Sequence, residues 1–345
     1  MTSIKATRGK AGPEAAPQTG SPPAMKVWYM TTGEAGFRTQ ARGLALALSD
    51  DPREFVVDLR IPWRGLPGRW VPFPMAGMTK DSDRLSPPWP DVLISCGRRA
   101  AALAIAVRRL SRGSTVTVHV QNPLTDVSAF DLVAPMVHDH VAGANVLSVS
   151  TALHDLTPER LAEAADRWRD RLTAPGQPLI GVMLGGATRH HPFSAAETAA
   201  LMDHLRGVKA KTGARLAITP SRRTPVVVRA LVEDALLGDP DVFIWSMEGD
   251  NPYRGILALS DRLVVTTDSV SMISEALSTG RPVEVFGHDG GRRHAEFLKG
   301  ILAQGLVRRF EGDPEPAPAR APINATETVA EAVRKLVQAR TAASG

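Results

Sequence analysis

One cysteine and two tyrosines occur in 345 residues. The lone thiol, Cys96, excludes a disulfide framework and a cysteine-built zinc site, and it fits a reducing compartment. No run of about 18 apolar residues exists, which argues against a membrane-spanning helix. The N-terminal stretch lacks the apolar h-region of a secretory signal. Aromatic RNA-binding motifs and long Lys/Arg blocks are missing as well, so the formal net charge of +5 does not point to nucleic acid. A mild basic excess suits phosphorylated substrates or an anionic membrane surface.

What is present is a hydrophobic fraction of 43%, enough for two domain cores at this length. Residues 1–24 are rich in Pro, Gly, Ala and Thr without apolar periodicity. They read as disordered, with Met25 a candidate start. A strand is expected over 26–30, then a turn carrying Gly33 and Gly36, then a helix over 41–48. Strands follow at 55–59, 91–96, 115–120 and 145–149, with an Ala-rich helix to Leu110 and another over 156–172. Pro175-Gly-Gln-Pro178 reads as the linker between domains, after which the pattern restarts. Strands are expected at 179–184, 215–219, 242–245, 263–267 and 283–286, separated by helices, and a last amphipathic helix over 326–339. Alternating strands and helices imply parallel sheets. The expected architecture is α/β: two Rossmann-like domains, 25–174 and 175–313, whose sheets face a central cleft. A Pro-rich connector and helix, 314–345, would pack back on the first domain.

Within this frame some segments carry chemistry. The strand at 263–267 ends in Asp268, Ser269 and Ser271, good caps for the helix that follows. A hydroxyl-rich helix N-terminus offers unpaired N–H groups to an anion such as phosphate. Glu275 is the one carboxylate near it. Alone, this is also an ordinary capped α/β unit, and Gly33 and Gly36 alone are an ordinary turn. Arg98 and Arg99 stand where the dipole of their helix disfavours cations, which suggests an anionic ligand or acidic partner, against plain solvated arginines. His138-Asp139-His140 places two imidazoles at i and i+2, yet no third metal ligand accompanies them, so acid–base or hydrogen-bonding roles are preferred. Between Pro62 and Met78, Trp63, Trp70 and Phe73 interleave with Arg64 and Arg69. That pattern suits either a lipid interface or a loop folded over the core.

Several motifs together resemble the mitochondrial-fission (elongated mitochondria) protein family, in the form of its bacterial members. They are Gly36 with Gln40, the segment Pro90 to Arg99, Val120-Gln-Asn-Pro123, Phe130-Asp-Leu-Val133, His138-Asp139, Asn145-Val146, the loop Thr219 to Pro225, Asn251-Pro-Tyr253 and the stretch Thr267 to Ala276. The family resembles GT-B glycosyltransferases, which implies a nucleotide-sugar cleft between two Rossmann-like domains. By that likeness Ser269, Val270 and Ser271 would offer N–H and hydroxyl groups to the donor phosphates, and Glu275 would accept from the ribose hydroxyls. Gly185 and Gly186 would allow close backbone approach. Arg222 and Arg223 would neutralise the departing diphosphate without a metal. Asn251, Tyr253 and Asp268 complete the implied donor set. The turn with Gly33 and Gly36 would face the acceptor. Phe37 stands where the murein-type loop can carry a His, so the base is sought in Glu34, with Asp126 and His138 behind it.

The implied activity is sugar transfer from a nucleotide-diphosphate donor to a cell-envelope or lipid-linked acceptor, with no cofactor beyond the donor substrate and no metal. Two alternatives stay open. One is a nucleotide-sugar epimerase on the same scaffold. The other is a non-catalytic, membrane-associated fission-type protein that uses the 62–78 surface. Gly33-Glu-Ala-Gly36 is not the Gly-x-Gly-x-x-Gly fingerprint, which counts against an NAD-dependent epimerase. The expected location is the cytoplasm, with peripheral contact at the inner face of the membrane left open.

Overall fold

Short runs of aliphatic and β-branched residues form central strands that are buried on both faces, as parallel sheets between helical layers require. The computed structural model describes residues 25–66, 71–187 and 193–344. The expected disordered segment 1–24, together with Arg69 and Trp70, lies outside the described residues. The first domain contains β1 (Val27–Thr31), α1 (Ala35–Leu48), β2 (Arg53–Val56), β3 (Val92–Cys96), α2 (Arg98–Leu110), β4 (Val116–Val120) and β5 (Leu132–Ala134). All strand pairs are parallel, in the order β2-β1-β3-β4-β5. Every position of β1, β3 and β4 is buried.

The second domain contains α3 (Pro158–Leu172), β6 (Leu179–Leu184), α4 (Ala195–Thr212), β7 (Arg215–Pro220), α5 (Val226–Ala235), β8 (Val242–Ile244), α6 (Tyr253–Leu259), β9 (Arg262–Thr266), α7 (Val270–Leu277), β10 (Val283–Phe286), α8 (Arg292–Ala303) and β11 (Arg308–Arg309). Its sheet is also parallel, in the order β11-β10-β9-β6-β7-β8. The chain is thus α/β with two Rossmann-like sheets. In each, the strand order reverses once, between β1 and β3 and between β6 and β9. Such switch points open crevices beyond the carboxyl ends of the strands, where ligands of α/β sheets bind.

Two differences from the sequence reading have physical causes. The segment 145–149 makes only isolated bridges, Val133 with Val146 and Met136 with Val149. Its backbone still bonds to β5, with the Val133 amide donating to the Asn145 carbonyl and the Leu147 amide to the Val133 carbonyl, each at 2.9 Å, while the Asn145 side-chain amide donates to the Val127 and Phe130 carbonyls at 2.7 and 2.9 Å. The helix before Pro175 packs on the second domain rather than the first. Trp168 and Leu172 of α3 share a cluster with Leu179, Ala217 and Ile256, and Gly255 of α6 gives the Trp168 ring room that a methyl group would fill. The chain therefore reaches the second core ahead of Pro175–Pro178.

The crossing itself runs through 150–157, where Gly43 of α1 lets the His154 backbone lie directly against the helix. A second crossing leads to α9 (Ala325–Ser344). Thr326 and His154 bind reciprocally, amide to hydroxyl and hydroxyl to carbonyl, both at 2.9 Å. Val329, Ala330 and Val333 of α9 then join Leu44 and Ala45 in the first core. Arg340 pairs with Asp131 at 2.7 Å. The two crossing segments are thus joined to each other, and the Ala152 amide is tied to the Ser274 hydroxyl of the second domain at 2.9 Å.

Candidate functional site

A cleft of about 760 Å³ lies between the domains. The second domain lines it with Arg222 from the turn after β7, Asn251 from the loop after β8, Tyr253 and Arg254 of α6, and Glu275 of α7. The first domain contributes Tyr29, Arg38, Thr39, Arg42 and Glu54. Asn251 Oδ1 accepts from the Tyr253 amide at 2.9 Å, an Asx turn that sets the start of α6. The Tyr253 hydroxyl donates to Glu275 Oε2. Burial pushes the Glu275 carboxyl up to about 7; the Tyr253 bond and Arg254 oppose the rise and Asp155 adds to it. Burial also drives the Tyr253 phenol well above its ordinary value. A carboxyl poised in this way takes hydrogen bonds from hydroxyl donors at neutral pH.

The cationic wall of the cleft is partly spoken for. Asp155 receives Arg42 at 3.1 Å, Arg160 at 3.0 Å and Arg254 at 2.9 Å. Arg38 pairs with Glu54 at 2.5 Å. Arg222 is exposed and makes no ion pair among the described residues.

At the β6/β9 switch the structure gives the glycines a different cause from the one expected. A Cβ at Gly185 would overlap the Asp268 carboxylate, and one at Gly186 would overlap the Arg223 backbone. The protein's own chain occupies that approach. Asp268, whose side chain is 1% exposed, accepts from the Gly186 amide at 2.8 Å, the Thr266 hydroxyl at 2.7 Å and Arg223 at 3.1 Å. Asp268 and Arg223 thus hold the crevice in shape. Ser269 caps α7 by accepting from the Met272 amide at 3.4 Å, and Ser271 sits half-buried in its first turn. The amides of Val270 and Ser271 have no acceptor within the helix.

A second cavity, of about 590 Å³, lies at the β1/β3 switch and meets α8 of the other domain. Thr32, Phe37, Arg98, Arg99, Gln121, Asn122 and His138 line it from the first domain, and Arg292, Arg293 and Glu296 from the second. Gly33, at φ +89°, makes the tight turn that precedes α1. Gly36 lies in the first turn of α1 with open space at its Cβ position. Glu34 is beside this cavity, but its carboxylate is engaged by Arg99 at 3.1 Å and by the Thr32 hydroxyl. Arg99 also holds Asp58 at 2.8 Å, and Arg98 donates to the Arg64 carbonyl at 2.9 Å. His138 has its side chain 7% exposed and its ring edge-on to Phe297 of α8, 5.7 Å between centroids. Burial lowers its proton affinity, against the pull of Asp139. Asp139 reaches across to Arg293 at 2.6 Å. Asp126 is elsewhere: it caps a short turn, accepting from the Ser128 amide at 3.0 Å and hydroxyl at 2.9 Å, and lines neither cavity.

Glu275, Tyr253, Asn251 and Arg222 therefore meet in one cleft, while His138 lines the other and Glu34 stands beside it, bound to its Arg99 and Thr32. The sequence reading missed Arg38, Arg42, Asp155 and Arg254, and all of α8. For α8 a signal existed: Gly290-Gly291 followed by Ala295, Leu298, Ile301 and Leu302 at helical spacing. In the aromatic loop Trp63 does not face outward. Its Nε1 donates to the Pro72 carbonyl at 2.7 Å and its ring lies on Gly77. Phe73, by contrast, is 84% exposed. Cys96 is buried, which pushes its thiol up and makes it inert.

Two parallel Rossmann-like sheets across an interdomain cleft define a GT-B-type scaffold. MurG of Acinetobacter baumannii superposes with a TM-score of 0.51 at 13% identity, over 90% of this chain and 99% of that one. A UDP-GlcNAc 2-epimerase from Methanocaldococcus jannaschii gives 0.50 at 10% identity, over 90% and 100%. At such identities the likeness is one of fold. The family follows from sequence: the Mitochondrial fission ELM1 model matches residues 35–337, and the chain belongs to that family. It is 33% identical over 277 residues to the mitochondrial fission protein ELM1 of Arabidopsis thaliana, covering 73% of this chain but 65% of the plant protein. It is also 23% identical over 255 residues to the protein RP120 of Rickettsia prowazekii, covering 64% of this chain and 72% of that one. No described helix is long and apolar enough to cross a membrane.

Proposed function

We propose that the chain is a GT-B-type glycosyltransferase that takes a sugar from a nucleotide-diphosphate donor and passes it to a cell-envelope or lipid-linked acceptor. The observation that carries this reading is the interdomain cleft in which Glu275, Tyr253, Asn251 and Arg222 converge. The ribose hydroxyls donate to Glu275, and Arg222 meets the diphosphate. The first-turn amides of α7 add N–H donors. The acceptor oxygen attacks the anomeric carbon, the bond from that carbon to the diphosphate oxygen breaks, and the nucleoside diphosphate leaves with its charge held by arginine. His138 takes the acceptor proton, which requires the sugar end of the donor to extend from the cleft to the second cavity that His138 lines. Its burial keeps it neutral and able to accept near pH 7, whereas Glu34 and Asp126 are spent on internal partners.

A second reading is a nucleotide-sugar epimerase, favoured by the fold shared with an enzyme named for UDP-GlcNAc epimerisation. A third is a fission-type role without catalysis, which the family's name suggests. Exposed Phe73 offers the latter a contact point. An NMR time course with a panel of nucleotide sugars separates the three. Transfer requires added acceptor and releases nucleoside diphosphate. Epimerisation converts donor alone. A non-catalytic protein leaves every donor unchanged and so refutes the proposal.

A further inference from the structure

The cavity at the β1/β3 switch has a feature that the donor reading does not use. It is lined by four arginines, in two adjacent pairs that come from different domains: Arg98-Arg99 and Arg292-Arg293. Each pair occupies the first two positions of a helix, α2 or α8. Each helix has a glycine N-cap, Gly97 or Gly291, with no side-chain cap and no acidic residue in its first turn. Both arrangements run against helix stability, because the positive end of the dipole repels cations. The protein's own acids offset only part of this charge. Arg99 is held by Glu34 and Asp58, and Arg293 by Asp139. Among the described residues Arg98 has a carbonyl acceptor, 2.9 Å away, and no carboxylate. Arg292 is 94% exposed and stands 4.0 Å from Glu296, a contact that solvent screens.

We propose that this cavity binds the diphosphate or phosphate group of a second ligand, with Arg98 and Arg292 as its direct cationic contacts from opposite domains. As the acceptor of sugar transfer this ligand rests on the function proposed above; as an anion site it does not. Guanidinium groups bind phosphate oxygens two at a time, and a doubly charged group bridges the two helix starts better than a carboxylate. His138 and Asp139 lie on the same wall, which brings the proposed base to the anchored ligand.

The test is calorimetric titration of the full chain with inorganic pyrophosphate, with and without UDP, for the wild type and for Arg98→Ala/Arg292→Ala. The expected result is wild-type binding that UDP does not compete away and that weakens by about tenfold or more in the double variant. This result holds whether or not UDP binds, so it is separable from the donor reading. The ligand-free double variant should melt no lower than wild type, since two dipole-opposed cations are gone; a purely structural pair would lower it. Should the alanine variant misfold, Arg98→Lys/Arg292→Lys keeps the charge, loses the fork, and should weaken binding in the same direction. Vesicles doped with a diphosphate-headed lipid give the second arm. Flotation that depends on the same arginines identifies a lipid headgroup as the source, and binding of soluble pyrophosphate alone identifies a small anion. Absence of pyrophosphate binding, binding unchanged in the double variant, or full competition by UDP would each overturn the proposal.

Discussion

The Glu275 carboxyl, pushed up to about 7 by burial, makes both stability and ligand binding depend on pH in opposite senses. A free glutamate has a pKa near 4.5. Below that value folded and unfolded chains are both protonated and no penalty exists. Between about 4.5 and 7 the folded chain keeps a proton that the unfolded chain releases, so stability falls as pH rises, and the loss is complete above 7. Raising the carboxyl from 4.5 to about 7 costs on the order of 3 kcal/mol of stability above pH 7. Hydroxyl donors of a bound ribose favour the ionised form, so affinity runs the other way. With a pKa near 7, roughly one molecule in ten is ionised at pH 6 and nine in ten at pH 8, an increase in affinity of about tenfold. The assay is a titration with a nucleotide sugar, whose diphosphate diester does not titrate in this range. Glu275→Gln serves as control and should be flat in affinity and more stable than wild type at pH 8. Affinity that is constant or falls from pH 6 to 8 in the wild type would refute the reasoning.

Three further outcomes follow from packing. Gly185→Ala and Gly186→Ala place a methyl group into the Asp268 carboxylate or the Arg223 backbone and should each cost about 1–3 kcal/mol or more in denaturant unfolding. Glu284→Ala removes the carboxylate from Arg262, only 5% exposed and paired to it at 2.5 Å; chemical denaturation should register a loss of about 3–5 kcal/mol. Trp63→Ala should lower the melting temperature by removing the ring from Gly77, yet leave vesicle co-sedimentation unchanged, because that ring is not presented outward.

The fold was legible because each strand and helix announces itself locally. The stretch around Asp268 is the best case: a β-branched run at 263–267, a serine cap and a second apolar run at 283–286 place β9, α7 and β10 to within about a residue of where they lie. What was not legible depends on contacts distant in sequence. Nothing near Gly185 indicates that the atom approaching it is a carboxylate from 83 residues on, at Asp268, so the glycine read as room for a ligand. The partners of Asp155 come from α1, α3 and α6, and no local pattern joins them. The same holds for Glu34, whose tie to Arg99 exists because β1 and β3 are neighbours in the sheet. Glu275 was found from its place in α7, but its burial and its Tyr253 bond arise from packing α6 against the same cleft.

The central claim is that the cleft at Glu275 binds a nucleotide. Isothermal titration of the wild type and of Glu275→Ala with UDP and other nucleoside diphosphates at pH 8 tests it most directly. The account predicts saturable binding of at least one nucleotide by the wild type, weakened by about tenfold or more in the variant, as loss of a charged hydrogen-bond acceptor entails. Heats without saturation for every nucleotide, or equal affinities for the two proteins, would contradict it.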